Sequence, residues 1–95
     1  MLHIVCINKD GGNHQDPHEG ISRFGWVNDQ TNARGNFSRT EMISFLEGNG
    51  LAYVRDHFGR TAMLVVRTRL GRKYVKTIAD GRETDNLLAL NECPL

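Results

Sequence analysis

The sequence predicts an α+β domain: a small, mostly antiparallel sheet of about five strands, ordered β-β-α-β-β-β, with one helix packed on a face. Three observations predict it. Apolar, β-branched runs of strand length recur at 2–8, 21–28, 51–55, 61–70 and 72–79. A convincing helix start occurs once, at Ser38-Arg39-Thr40-Glu41. The chain has 95 residues, which is room for one modest core, so residues 1–95 are expected to form a single domain.

The elements follow in order. Leu2 to Asn8 is apolar enough for a strand. Lys9 to Gly20 is a polar loop with two adjacent glycines and a proline, and a connection that long in a small domain is often functional. Ile21 to Asn28 reads as a second strand with Phe24 and Trp26 on one face, and Asp29 to Asn36 is turn-rich. Ser38 and Glu41 then form a capping box, with Phe37 and Met42 placed as a hydrophobic staple. Met42, Phe45 and Leu46 give the helix its apolar stripe, and Gly48-Asn49-Gly50 stops it. Leu51 to Arg55 is a short third strand, and His57 to Arg60 a turn. Thr61 to Leu70 and Arg72 to Ala79 form the clearest hairpin, joined at Leu70-Gly71. Thr84 to Leu90 holds a single helical turn capped by Thr84 or Asp85.

Composition narrows function by exclusion. Net charge is +1, so no global attraction draws the chain to nucleic acid or to an anionic membrane. No apolar run approaches the ~20 residues of a membrane helix, and the N-terminus lacks a secretory pattern; a cytoplasmic protein is expected. The charge is sorted, however: residues 55–76 carry seven basic groups against Asp56 alone. Cys6 and Cys93 form no Cys-x-x-Cys pair and are expected to be reduced thiols, with Cys6 a small core hydrophobe.

Two groups of residues carry chemistry. A two-residue turn at Leu70-Gly71 pairs Arg69 with Arg72, Arg67 with Tyr74 and Val65 with Lys76. One face then presents Arg67, Arg69, Arg72 and Lys76 around Tyr74, while Ala62, Leu64, Val66, Val75 and Thr77 face the core. Guanidinium groups grip phosphate through paired hydrogen bonds, and a tyrosine ring stacks a base. The same charges on a solvated edge would serve only to block aggregation. The second group is His14, Asp16, His18 and Glu19, residue types that hold transition metals or move protons near neutral pH. The spacing matches no standard metal motif, and Asp16 before Pro17 equally fits a local turn.

Further residues carry a resemblance. They are Tyr74-Val75-Lys76-Thr77, Ala79-Asp80-Gly81, Thr84-Asp85-Asn86-Leu87-Leu88 and Leu90. Asp16-Pro17-His18-Glu19, Ile21, Trp26-Val27, Tyr53-Val54 and the opening strand with Cys6 join them. Together they resemble a family of small stand-alone proteins of bacteria and their viruses, known only as a domain of unknown function. One departure is Asn91, where the pattern implies proline. The resemblance implies one compact domain with no assigned activity. It singles out Asp16, His18, Lys76, Thr77, Asp80, Asp85 and Asn86, which fit turns and caps or, where they converge, a second polar site.

The expected function is a non-enzymatic binding module that takes an anionic ligand, a nucleotide or nucleic acid, on the hairpin. Its site is Arg67, Arg69, Arg72, Tyr74 and Lys76, with His14, Asp16, His18, Asp80, Asp85 and Asn86 as a second polar site. No catalytic residue, metal or cofactor is assigned, since G-x-S-x-G, P-loop and H-E-x-x-H patterns are absent. One alternative is a protein-binding inhibitor or adaptor anchored by Trp26, Phe58 or Tyr53. The other is a metal-dependent hydrolase using the histidine loop with Asp80 or Asp85. Shared strand edges would allow a homodimer.

Overall fold

A computed structural model describes residues 1–12 and 16–94. Its strands are β1 (Leu2–Lys9), β2 (Ile21–Asn28), β3 (Arg34–Ser38), β4 (Ala52–Arg55), β5 (Thr61–Arg69), β6 (Arg72–Ala79) and β7 (Arg82–Thr84). The helix α1 (Arg39–Glu47) lies between β3 and β4, and two short 3₁₀ turns occupy Pro17–Gly20 and Asn86–Ala89. The strands form one sheet in the order β3-β2-β1-β4-β5-β6-β7. All neighbours are antiparallel except β1 and β4, which run parallel.

The architecture is the expected α+β arrangement, but the described strands number seven, not five. The two extra strands are β3, placed where turns were expected, and β7. Both are edge strands. β3 has the sequence Arg-Gly-Asn-Phe-Ser, with little intrinsic strand preference, and is held by its register against β2, Phe37 opposite Phe24. β7 is three residues long and follows an Asp80-Gly81 turn in which both residues have positive φ.

Local signals elsewhere match. Ser38 and Glu41 form the capping box reciprocally, at 3.1 and 2.8 Å. The β5–β6 pairing sets Arg69 opposite Arg72, Arg67 opposite Tyr74 and Val65 opposite Lys76, the register expected from the turn. Leu70 at its tip has φ 51° and is 89% exposed.

Alternation gives the sheet two differently covered faces. Ile4, Phe24, Val54, Leu64 and Val75 lie on the face beneath α1, whose Met42 is fully buried and whose Phe45 meets Phe37. The opposite face, with Tyr53, Tyr74 and Lys76, is covered by the two 3₁₀ turns. Their buried residues are His18 and Gly20 in the first turn and Leu87 in the second.

Cys6 and Cys93 are joined as a disulfide, which corrects the expectation of two thiols. The physical reason is the path of the C-terminus. After the second 3₁₀ turn the chain lies parallel beside β1: Ile7 N–H donates to Asn91, and Cys93 N–H donates to Ile7. That brings together sulfurs 87 residues apart in sequence. Gly25, paired with Cys6, leaves the room: a Cβ there would overlap the Cys6 sulfur and stand 2.9 Å from that of Cys93. Closing so long a loop stabilises by about 4–5 kcal/mol on chain-entropy grounds.

Candidate functional site

The hairpin carries its basic residues where the register requires, but three of the four meet carboxylates. Arg67 binds Glu83 at 2.9 Å and Arg69 binds Glu19 at 3.0 Å. Lys76 sits between Asp16 and Glu83, at 3.1 and 3.2 Å. Arg72 is exposed and has no ion pair among the described residues. Tyr74 is only 9% exposed, so its ring is not offered to a base. The like-charge strain expected across this hairpin is thus relieved internally, by residues from the Pro17–Gly20 turn and β7.

The second predicted group is partly assembled. His18 is 2% exposed. Its Nδ1 lies 2.8 Å from Asp16 and its Nε2 lies 3.8 Å from the Asp85 carboxylate, with no hydrogen-bond partner of its own. Asp16 also caps the turn, accepting the His18 N–H at 3.0 Å. Burial would push the Asp16 carboxyl up; the His18 N–H, the His18 ring and the Lys76 ammonium outweigh it and hold it at about 2. Lys76 is raised: burial works against its charge, and Asp16 and Glu83 more than offset that. Asp16, His18, Lys76 and Asp85 therefore converge. Asp80 stands apart in the β6–β7 turn, Asn86 begins the second 3₁₀ turn, and His14 lies outside the described residues.

This cluster ties the two 3₁₀ turns to the sheet. A carboxylate on Nδ1 would ready an imidazole for proton transfer, but the His18 side chain is sealed from solvent, Nε2 included. Among the described residues no three His, Cys, Asp or Glu side chains are grouped to hold a metal ion.

An open site lies elsewhere. A cleft of about 410 Å³ separates the turn between β4 and β5 from the C-terminal segment. Its walls include Arg55, His57, Phe58 and Arg60 on one side and Asn86 and Asn91 on the other. Asp56 builds the turn. Its carboxylate accepts the Phe58 and Arg60 N–H groups, each at 2.9 Å, and the Arg60 guanidinium at 3.0 Å. The Arg60 N–H foremost, then burial working in opposition and the remaining hydrogen bonds, hold the Asp56 carboxyl below its usual range. With its backbone committed inward, the turn presents Phe58 outward, 71% exposed. The ring rests against His57 at 4.2 Å and lies beneath the Arg60 guanidinium at 5.1 Å. Arg55 carries no ion pair among the described residues and lies over Tyr53. An aromatic platform beside two guanidinium groups fits a planar ring bearing an anionic group.

From sequence, Arg55 ends a strand, His57 to Arg60 is a turn and Phe58 is an anchor for a protein partner; none of them is placed in an anion site. The available signal was an aromatic residue between two arginines in a glycine turn, but the opposite wall comes from thirty residues further along the chain.

None of the curated proteins or solved structures matches the chain with significance. A family model does match, over residues 3–91, and its span includes every residue of the cleft and of the His18 cluster. The chain belongs to the family described as Protein of unknown function (DUF3892).

Proposed function

We propose that the chain is a non-enzymatic binding module for an anionic ligand, a nucleotide or nucleic acid, held at the cleft beside the β4–β5 turn. The observation that carries this reading is Phe58, an exposed ring flanked by Arg55 and Arg60 at the mouth of a cleft. Stacking on Phe58 would hold the base, and the guanidinium of Arg55 would take the phosphate. The hairpin is the weaker location, because Arg67, Arg69 and Lys76 already hold carboxylates. A cytoplasmic setting belongs to this reading. No helix among the described residues is long and apolar enough to cross a membrane.

Titration with a mononucleotide and a short single-stranded oligonucleotide tests it. Binding should weaken in Phe58→Ala and Arg55→Ala and with added salt, and should survive Arg69→Ala. Binding lost in Arg69→Ala but kept in Phe58→Ala would return the site to the hairpin.

Phe58 also favours a second reading, a protein-binding inhibitor or adaptor. Of the three aromatic anchors proposed for it, Tyr53 is buried and Trp26 half-buried, while Phe58 is free to engage a partner. Saturable binding of a protein partner abolished by Phe58→Ala, with no nucleotide binding, would establish that reading instead. A second copy of the chain is one such partner, and the measured mass in solution would reveal it.

A further inference from the structure

We infer that the Cys6–Cys93 disulfide is a reducible clamp: a dithiol opens it in the folded protein and frees the C-terminal segment that walls the cleft. Its use as a control on binding rests on the function proposed above; the release itself does not. Four observations carry it. Both cysteines are partly exposed and line a second open cleft, of about 420 Å³, together with Gly25, Arg34 and Asn91. A thiolate can therefore reach the bond, whereas a bond sealed in the core would exclude it. Val5 of β1 and Asn91 line both clefts, so the clamped segment beside β1 is part of the wall between them. Beyond the 3₁₀ turn that segment has few other ties among the described residues: Leu90 packed against the core, two backbone hydrogen bonds with Ile7, and a 3.3 Å bond from the Asn8 side chain to the Cys93 carbonyl. Finally, Gly25 leaves open the space the two sulfurs occupy.

The exchange balances simply. A thiolate of the dithiol attacks one cysteine sulfur and forms a mixed disulfide. The other cysteine leaves as a thiolate and takes a proton. The second thiol of the reagent, losing its proton, then displaces the first cysteine, which is protonated in turn. Two electrons and two protons pass to Cys6 and Cys93, and the dithiol becomes a cyclic disulfide.

The test treats the folded protein with dithiothreitol, without denaturant, then alkylates free thiols and reads intact mass. Backbone hydrogen exchange is followed in parallel. Two alkyl groups should add per chain. The Ile7 and Cys93 amides should lose their protection, falling at least tenfold further than β5 and β6 amides, which are lowered only by the cross-link's share of global stability and stay protected. Glutathione disulfide should restore the original pattern, and Cys93→Ser should show the reduced pattern without reductant. Three results would overturn the inference: no alkylation until denaturant is added, unchanged protection after reduction, or loss of protection throughout the chain at once. Affinity for adenosine monophosphate should fall at least fivefold on reduction. If that nucleotide binds neither form, the proposed function fails, and the alkylation and exchange results still decide the clamp.

Discussion

The hairpin and the β4–β5 turn both belong to the basic stretch of the chain, yet they end in opposite states. On the hairpin, Arg67, Arg69 and Lys76 are matched by Glu83, Glu19 and Asp16, and Tyr74 is covered. At the turn, one carboxylate, Asp56, is spent on the backbone and Arg60, and an exposed ring and Arg55 face a cleft. The denser cluster of positive charge is therefore the less available one. Charge counted along a sequence measures what must be neutralised; only the fold decides whether a ligand or the protein neutralises it.

The largest expected effect breaks the cover over the hairpin. Leu87 is fully buried in the second 3₁₀ turn, and Leu87→Ala should cost about 2–5 kcal/mol in denaturant unfolding. Asp16→Asn removes the link between that cover and Lys76. Asp16 titrates at about 2 when folded against 3.8 as its ordinary value. Its contribution is present above pH 4 and is lost as pH falls towards 2. The variant should be less stable by about 2 kcal/mol at pH 7, and the gap should close across that window, as equilibrium unfolding at several pH values would show. Next, Phe58→Ala should weaken nucleotide binding roughly tenfold, in the range of a lost base stack, while leaving the melting temperature nearly unchanged. Glu83→Gln should uncover Arg67 and Lys76 and steepen the salt dependence of any oligonucleotide binding. The smallest effect is at the hairpin tip. Leu70→Asn suits the positive φ and should raise stability by about 1 kcal/mol, read as a shift of the denaturant midpoint.

What was legible in the sequence was what neighbouring residues decide. The Leu70-Gly71 turn sets the β5–β6 register, and Ser38 with Glu41 starts the helix. Asp16 acts as a cap before Pro17. The convergence of Asp16, His18 and Asp85 was visible only as a shared family pattern, and Asp80, in the same pattern, proved to serve a turn. What was hidden depends on partners far along the chain. β3 is a strand because β2 lies beside it. Cys93 finds Cys6 because the tail returns to β1. Arg69 loses its freedom to Glu19, fifty residues earlier. The cleft escaped notice for the same reason, since Arg55 to Arg60 is half a site until Asn86 and Asn91 face it.

The most direct measurement is a nuclear magnetic resonance titration of the oxidised protein with adenosine monophosphate at neutral pH, following every backbone amide. If the cleft takes the nucleotide, saturable shifts will appear at Arg55 to Arg60 and at Asn86 to Asn91, with the hairpin amides of 67–76 unmoved. Shifts confined to 67–76, or none at all, would overturn the cleft as the binding site.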